Sequence, residues 1–219
     1  MNLKQLEKSI GLLETLVTKW PVPVVGVIAQ ASTHKPFEVL ISTILSLRTK
    51  DKTTHAASLR LFARANTPKG ILKIPLQELE QLIYPVSFYK TKAKSIHKIC
   101  DILLEKYKGE VPDHLDDLLE LPGVGRKTAN LVITVGFDDY GICVDTHVHR
   151  ITNRWGFIKT KTADETESVL REKLPKKYWI RYNDLLVAFG QNLCGPVSPY
   201  CSLCPLAKMC PKEGVKYSR

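Results

Sequence analysis

The chain has 219 residues, and 44% of them are hydrophobic, so it can bury a sizeable core and disorder should not dominate. Its formal net charge of +10 favours a polyanionic partner, because Lys and Arg residues release condensed counterions when they neutralise phosphates. No segment has the roughly 18 apolar residues that a membrane span needs, so we expect a soluble protein without a membrane partner.

The segment from Met1 to Trp20 carries Leu, Ile or Trp at steps of three and four residues, with Lys and Glu between them. This spacing predicts an amphipathic helix. An export signal would need an unbroken apolar stretch and a cleavage site, which this pattern does not offer. We therefore expect an intracellular protein.

Helical spacing of apolar residues continues along almost the whole chain. Further helices are predicted to begin near Pro36, Lys52, Leu76, Lys92, Leu115, Arg126, Thr146, Ala163 and Tyr178. The helix from Arg126 should end at Gly136, and Gly109 should close the helix before it in a left-handed conformation. No stretch alternates polar and apolar residues for more than a few positions. The sequence therefore predicts an all-α fold.

A turn with two glycines, residues 121–125, joins two of these predicted helices. Pro122 ends the first helix, and Gly123 and Gly125 permit a tight reversal that bulkier residues would resist. The first amide groups of the next helix have no partner within that helix, so they can bind a phosphate. An ordinary hairpin between two helices explains the glycines about equally well.

Two residues that follow this turn have side chains that can take part in catalysis. Lys127 lies in the first turn of a predicted helix, where the positive end of the helix dipole disfavours an ammonium, and a neutral amine is a nucleophile. A solvated surface lysine is the alternative. Asp145 follows an apolar run and precedes a helix, which predicts an N-cap. A carboxylate held rigidly in this way could also face a developing positive charge.

Four cysteines lie near the end of the chain with the spacing C-x6-C-x2-C-x5-C, namely Cys194, Cys201, Cys204 and Cys210. Four thiolates can hold Zn²⁺ or an iron–sulfur cluster. Structural zinc sites usually present two close pairs of ligands, whereas only Cys201 and Cys204 form one here. The spacing favours a cluster and leaves zinc open. Cys100 and Cys143 lie in apolar patterns, and we expect them to be small core residues.

Residues 121–129, residues 144–150 and the cysteine string, in this order, resemble the endonuclease III family of DNA glycosylases in the helix-hairpin-helix superfamily. The resemblance extends from about Pro36 to Cys210. It implies two helical lobes that flank a DNA-binding cleft. One lobe would be a six-helix barrel domain, residues 28–140, and the other would combine residues 1–27 with 141–219 and carry a 4Fe-4S cluster on the four cysteines.

The resemblance also implies a reaction. Lys127 matches the family's nucleophilic lysine, and Asp145 matches its catalytic aspartate. The enzyme would excise oxidised pyrimidines of the thymine glycol class through a lysine Schiff base and cleave the strand by β-elimination. Its partner would be duplex DNA with damaged bases or abasic sites, bound by a monomer associated with the nucleoid. Adenine and thymine-mismatch glycosylases of this superfamily carry other residues at the position of Lys127.

Several further positions would contact DNA by the same resemblance. Arg48 stands where the family commonly has a glutamine that fills the gap left by the flipped nucleotide. Phe88 matches the wedge that separates the stacked bases, although a core aromatic is the alternative. The remaining predicted DNA contacts are Lys92, Gly123, Val124, Gly125, Arg126 and His147. The loop at 195–200 departs from the family because it has no basic residue.

Two other functions stay open at this stage. A mismatch glycosylase for uracil or thymine would keep the fold and the cluster but change the base pocket. A non-catalytic module that binds damaged DNA would need the hairpin and the basic charge, but it would not need Lys127 together with Asp145.

Overall fold

The computed structural model describes residues 1–20 and 24–219. Within these ranges the chain forms twelve α-helices, one π-helical turn and two short 3-10 turns, and no strand. The all-α prediction is therefore confirmed. In chain order the helices are α1 Leu3–Val17, α2 Val24–Ala31, α3 Lys35–Ser46, α4 Asp51–Arg64, α5 Pro68–Leu72, α6 Leu76–Ile83, α7 Tyr89–Tyr107, α8 Leu115–Leu119, α9 Arg126–Leu131, α10 Thr146–Arg154, α11 Ala163–Lys173 and α12 Trp179–Asn192.

The chain divides into two compact units. The first, here called the cysteine unit, combines Met1–Pro23 with Ile142–Arg219, and the second, the hairpin unit, is Val24–Gly141. The predicted second domain, 1–27 with 141–219, includes residues 21–23, which lie outside the described residues. Across the described ranges, no helix is long and apolar enough to span a bilayer.

Helix α3 is the centre of the hairpin unit. Its residues from Phe37 to Leu45 are all buried, because α2, α4, α7, α9 and the π-helical turn Val132–Gly136 pack around it. A helix enclosed on all sides is mostly apolar, and its buried polar groups need partners. The hydroxyls of Ser42 and Thr43 donate to the Val39 carbonyl within the helix. This central helix fixes the positions of the loop that follows it and of the neighbouring α7 and α9.

Helix α2 and the π-helical turn were not foreseen in the sequence. The α2 segment contains three valines and a glycine, which have low helix propensity, yet burial of Val24, Val25 and Ile28 stabilises it as a helix. The helix predicted from Arg126 to Val135 is α-helical only to Leu131 and then widens into the π-helical turn. Packing of this turn against α3 is the tertiary effect that local spacing does not encode.

The cysteine unit packs α1 and α10 against α12, with α11 beside α10. The apolar stripe predicted for the N-terminal segment is confirmed, because Leu6, Ile10 and Leu13 are buried. Trp155 and Phe189 pack against each other in the same core, with ring centroids 6.2 Å apart. The core therefore joins the two ends of the chain and positions the cysteine segment, which follows α12.

Candidate active site

The glycine turn of the hairpin unit is closed by backbone hydrogen bonds. The amide of Leu121 donates to the Leu118 carbonyl at 3.2 Å, and the amide of Val124 donates to Leu121 at 3.1 Å. Gly123 has φ +82°, a left-handed conformation that residues with a Cβ rarely adopt. A Cβ added at Gly123 or at Gly125 would meet no atom within 4 Å. The turn therefore offers an exposed backbone that a phosphate can approach closely.

Lys127 is the second residue of α9 and is half-buried. The residues that follow it, Thr128 to Leu131, are buried, so the helix is anchored directly behind the lysine. Asn130 strengthens this anchor, because its side-chain amide donates to the Arg126 carbonyl at 3.0 Å. The π-helical turn comes next, and such irregular turns are frequent at functional sites. The backbone of Lys127 is thus held on a rigid support.

Asp145 is the N-cap of α10, as predicted. Its Oδ1 atom accepts hydrogen bonds from the amides of His147 and Val148, both at 2.8 Å. Both of these bonds are accepted by Oδ1, so the cap does not use the second carboxylate oxygen. A half-buried carboxylate held by two amides keeps one oxygen in a fixed direction. This arrangement suits a group that must face a transient positive charge.

His147 packs into the cysteine unit beside Gly190 of α12. A Cβ added at Gly190 would lie 2.2 Å from Nδ1 of His147 and 3.0 Å from Nη2 of Arg150. Arg150 in turn lies 3.1 Å from the same ring nitrogen. Gly190 therefore allows α10 and α12 to approach closely at this point. His147 has a structural role here, whatever it also does towards DNA.

The four C-terminal cysteines line one pocket, together with apolar side chains such as Trp155 and Phe189. No three His, Cys, Asp or Glu side chains in the described part of the chain lie close enough to hold one metal ion. Zinc holds thiolates at about 2.3 Å, whereas a four-iron cluster is a larger body and holds them farther apart. Four thiols around one shared pocket supply the sulfur donors that a metal centre needs.

Two of the four thiols have raised pKa values. Burial raises the pKa of Cys204 to about 11, and the pKa of Cys210 is also raised, first by burial. Backbone amides of Leu206 and Lys212 oppose these shifts by donating to the two sulfurs, and the neighbouring thiols raise both pKa values further. Thiolates this close together are stable when a cationic centre compensates their charge.

Two arginines of α10 hold the beginning of the cysteine segment, and sequence reasoning missed both. Arg150 donates to the Cys194 carbonyl at 2.9 Å. Arg154 donates to the carbonyls of Gly195, at 2.6 Å, and Pro196. The spacing of four residues could have suggested a shared helix face, but only the fold reveals what that face contacts. The loop at 195–200, which has no basic residue of its own, is thus held through its backbone by Arg154.

In the hairpin unit, Arg48 and Phe88 lie side by side. The guanidinium carbon of Arg48 is 5.9 Å from the centre of the Phe88 ring. Phe88 is 62% exposed, so the alternative of a core aromatic is wrong. An exposed phenyl ring at the tip of a loop is the kind of group that can enter a stack of bases.

The position of Lys92 differs from the one expected from the sequence. This lysine was predicted to contact a phosphate, but it is only 8% exposed. Its Nζ atom donates to the carbonyls of Leu45, at 2.9 Å, and Leu47, at 2.6 Å. An ammonium that is turned inward and satisfied by carbonyls does not reach a phosphate from this position. The reason is that Lys92 lies on the same face of α7 as Ile96, and this face packs against α3.

The structure therefore brings together Arg48 with Phe88, and the four cysteines with one another. Lys127 belongs to the hairpin unit, and Asp145 belongs to the cysteine unit.

Comparison with known proteins agrees with the fold and the motifs. Residues 41–176 match the family described as HhH-GPD superfamily base excision DNA repair protein. Endonuclease III of Thermotoga maritima is 49% identical over 175 residues, which are 80% of this chain and 82% of that protein. Endonuclease III of Bacillus subtilis is 41% identical over 217 residues, which are 99% of this chain and 95% of that protein.

Solved structures give the same result. A trapped endonuclease III–DNA covalent intermediate superimposes with a TM-score of 0.85 at 35% identity and covers 97% of each chain. A thermostable thymine-DNA glycosylase shares the fold, with a TM-score of 0.79 at 23% identity over 93% of this chain and 95% of that one.

The helical hairpin, the capped aspartate and the family match define a DNA base excision repair protein of the helix-hairpin-helix superfamily. Within that superfamily, the chain belongs to the endonuclease III family. It is a DNA glycosylase that also has lyase activity at abasic sites, and it binds DNA. The family resemblance and the predicted DNA glycosylase and abasic-site lyase activities are confirmed.

Proposed function

We propose that this enzyme excises oxidised pyrimidines of the thymine glycol class from duplex DNA and cleaves the strand through a covalent imine on Lys127. The observation that carries the proposal is a lysine on the first turn of a rigid helix, directly after an open glycine turn. A 35% identical endonuclease III has been solved as a trapped covalent intermediate with DNA, which supports a covalent route here.

In this mechanism, Nζ of Lys127 attacks C1′ of a nucleotide that has been flipped out of the duplex. The bond between C1′ and the base breaks, and the base leaves with the electron pair. Loss of the ammonium protons and opening of the sugar ring give an imine between Lys127 and C1′. Removal of a proton from C2′ then expels the 3′ phosphate by β-elimination, and hydrolysis of the imine releases Lys127.

Asp145 is the carboxylate that assists Lys127 in this proposal. It accepts a proton from the lysine or stabilises the positive charge that develops on the sugar as the base leaves. Its support is the pair of amides, those of His147 and Val148, that hold Oδ1. Because the cap already fixes the side chain, Asp145 needs little reorganisation during the reaction.

DNA is held, on this proposal, by the hairpin and by two side chains that enter the duplex. The backbone at Gly123, Val124 and Gly125 approaches phosphate oxygens, and Arg126 and His147 add charged or polar contacts. Arg48 occupies the space of the flipped nucleotide, and Phe88 separates the bases beside it. A single copy of the chain suffices for these contacts, so we propose that it acts as a monomer at lesions in the nucleoid.

We also propose that Cys194, Cys201, Cys204 and Cys210 hold a 4Fe-4S cluster. Such a cluster would order the segment that follows α12, and the lysine chemistry needs no electron transfer. Purified protein should be brown, with broad absorption near about 400 nm and four irons per chain, as expected of thiolate-ligated iron. A colourless protein with one zinc per chain would contradict this proposal.

The test of the function uses a set of duplexes that differ only in the lesion: thymine glycol, an abasic site, uracil opposite guanine and thymine opposite guanine. Wild type should release thymine glycol and cleave the strand, whereas Lys127→Gln should do neither. Lys98→Gln changes an exposed lysine of α7 in the same unit and serves as the matched control, with unchanged activity. Preference for the uracil or thymine mismatches would support the mismatch glycosylase instead.

A further inference from the structure

Lys92 is a buried lysine for which the reaction provides no role. It lies in the first turns of α7, and its Nζ atom has three acceptors: the carbonyls of Leu45 and Leu47, and Oγ1 of Thr49 at 3.3 Å. The two carbonyls lie at the C-terminal end of α3, where the last carbonyls lack partners within the helix and the helix dipole is negative. Lys92 therefore closes the end of α3 with a positive charge from a neighbouring helix.

The same contacts connect two loops. Thr49 accepts from the Lys92 ammonium, and its Oγ1 also accepts from the backbone amide of Ser87 at 3.2 Å. Thr49 follows Arg48 in the first loop, and Ser87 precedes Phe88 in the second. The lysine, the hydroxyl and the amide thus form a continuous bridge between the two residues that are proposed to enter the duplex.

Both of those residues have a conformation that needs support. Arg48 has φ +57° and Phe88 has φ +58°, which is the left-handed region. For residues with a Cβ this costs on the order of 1 kcal/mol each, so it persists only where the surroundings hold the backbone in place. The left-handed turns bring the guanidinium over the phenyl ring and leave Phe88 exposed.

Burial of a positive charge costs free energy, and the acceptors around Nζ offset this cost only in part. Burial lowers the pKa of Lys92 to about 8. An apolar side chain of similar length would avoid this cost, but it could not bind the carbonyls at the end of α3 or reach Thr49. The charge is thus connected to both loops through hydrogen bonds.

We propose that Lys92 is a positioning residue that holds Arg48 and Phe88 at the fixed separation at which they enter the duplex together. The inference rests on the proposed roles of these two side chains and adds a cause for their arrangement. Lys92 contacts neither DNA nor the reacting atoms; it acts through Thr49 and the end of α3. Its loss should therefore impair the opening of duplex DNA more than the chemistry on a strand that is already open.

The test measures the activity of the Lys92→Met variant on two substrates. Opening of a duplex is followed by stopped-flow fluorescence of 2-aminopurine placed beside a non-cleavable abasic analogue, and lyase chemistry is followed on single-stranded DNA with a natural abasic site. Opening should slow by about tenfold, because misplacement of a positioned group by a fraction of an ångström costs this much or more, while the lyase rate stays within about twofold. Lys98→Met, an exposed lysine of the same helix, should change neither rate.

A second variant keeps the test decisive if Lys92→Met fails to fold. Thr49→Val removes the hydroxyl that bridges to Ser87 and leaves Lys92 in place, and it should slow opening by about threefold, the loss expected for one hydrogen bond. Thr49→Ser restores the hydroxyl and should restore the rate. Equal slowing of duplex opening and single-strand lyase, or normal opening in both Lys92→Met and Thr49→Val, would overturn the proposal.

The design also separates this inference from the function on which it rests. If Phe88→Ala slows opening and Lys92→Met does not, only the role of Lys92 is wrong. If Phe88→Ala and Arg48→Ala both open the duplex at the wild-type rate, the proposed roles of these side chains fail, and the inference fails with them. If Lys92 acts through Phe88, Lys92→Met combined with Phe88→Ala should be no slower than Phe88→Ala alone, whereas additive losses would count against this coupling.

Discussion

Arg154 donates a hydrogen bond from Nη1 to the Sγ atom of Cys194, at 3.4 Å. Arg154 is also the last residue of α10, the helix that Asp145 caps. One helix of nine residues therefore carries the proposed catalytic carboxylate at its first turn and contacts the first cysteine at its last. A single helix thus connects the cysteine segment to its N-cap residue, Asp145.

Replacement of Arg154 by Met should loosen the cysteine segment. The change removes hydrogen bonds from a charged donor to the carbonyls of Gly195 and Pro196 and to Cys194, which should lower the free energy of unfolding by about 3 kcal/mol. Iron content and absorption near about 400 nm should fall in the purified variant. Arg181→Met, which removes an exposed ion pair with Glu14, should keep both at the wild-type level. Full iron content in Arg154→Met would refute the proposed anchoring role.

Two substitutions at Asp145 should separate its cap from its chemistry. Asp145→Asn retains an oxygen that can accept from His147 and Val148, so the midpoint of thermal unfolding should stay close to wild type. Asp145→Ala loses the cap and should be less stable by about 1 kcal/mol. Both variants should lower the single-turnover rate of base excision by about 100-fold or more. Near wild-type excision by Asp145→Asn would show that the carboxylate is only a cap.

Gly190 should be intolerant of a side chain. The added methyl group of Gly190→Ala would overlap His147 and Arg150, and separation of α10 from α12 should cost about 2 kcal/mol. Gly11→Ala is the matched control in the same unit, because its new Cβ meets nothing within 4 Å, and it should stabilise α1 by about 1 kcal/mol. Urea unfolding of the two variants measures both effects. Equal stability of the two variants would contradict the close packing at Gly190.

Burial of Lys92 should make stability depend on pH. Its pKa is about 8 in the folded protein, against an ordinary value of 10.5, so the unfolded chain binds more protons between these values. Stability from this group therefore rises as the pH increases from about 8 to about 10.5, and the cost of the buried charge is fully present below pH 8. The thermal midpoint of wild type minus that of Lys92→Met should therefore become more positive between about pH 7 and about pH 10. A difference that is constant over this range would mean that Lys92 is not desolvated.

Much of the fold could be predicted from local spacing. The stripe at Leu6, Ile10 and Leu13 predicts the first helix, and the apolar run at 142–144 followed by Asp145 predicts the cap of α10. These predictions hold because periodicity and capping are local effects. Helix α2 could not be predicted in this way, because burial, which overrides its low propensity, depends on distant residues.

The residues of the candidate site also differ in whether a local sequence pattern predicts them. Lys127, Asp145 and the four cysteines could be proposed because each lies in a short motif with a chemical meaning. Arg154 could not, because its partners, the Cys194 sulfur and the carbonyls of Gly195 and Pro196, lie 40 residues or more away in sequence. The inward position of Lys92 was in principle visible, since it falls one helical turn before Ile96 on the buried stripe of α7. A charged residue within an apolar stripe indicates a buried partner rather than a phosphate contact.

The most direct test of the proposed mechanism is reduction of the reaction mixture with borohydride on duplex DNA that contains thymine glycol, followed by mass spectrometry of the peptide joined to the sugar. Borohydride reduces an imine to a stable amine, so wild type should give a covalent adduct that maps to Lys127, and Lys127→Gln should give none. Strand cleavage without an adduct, or an adduct that persists in Lys127→Gln, would contradict the account.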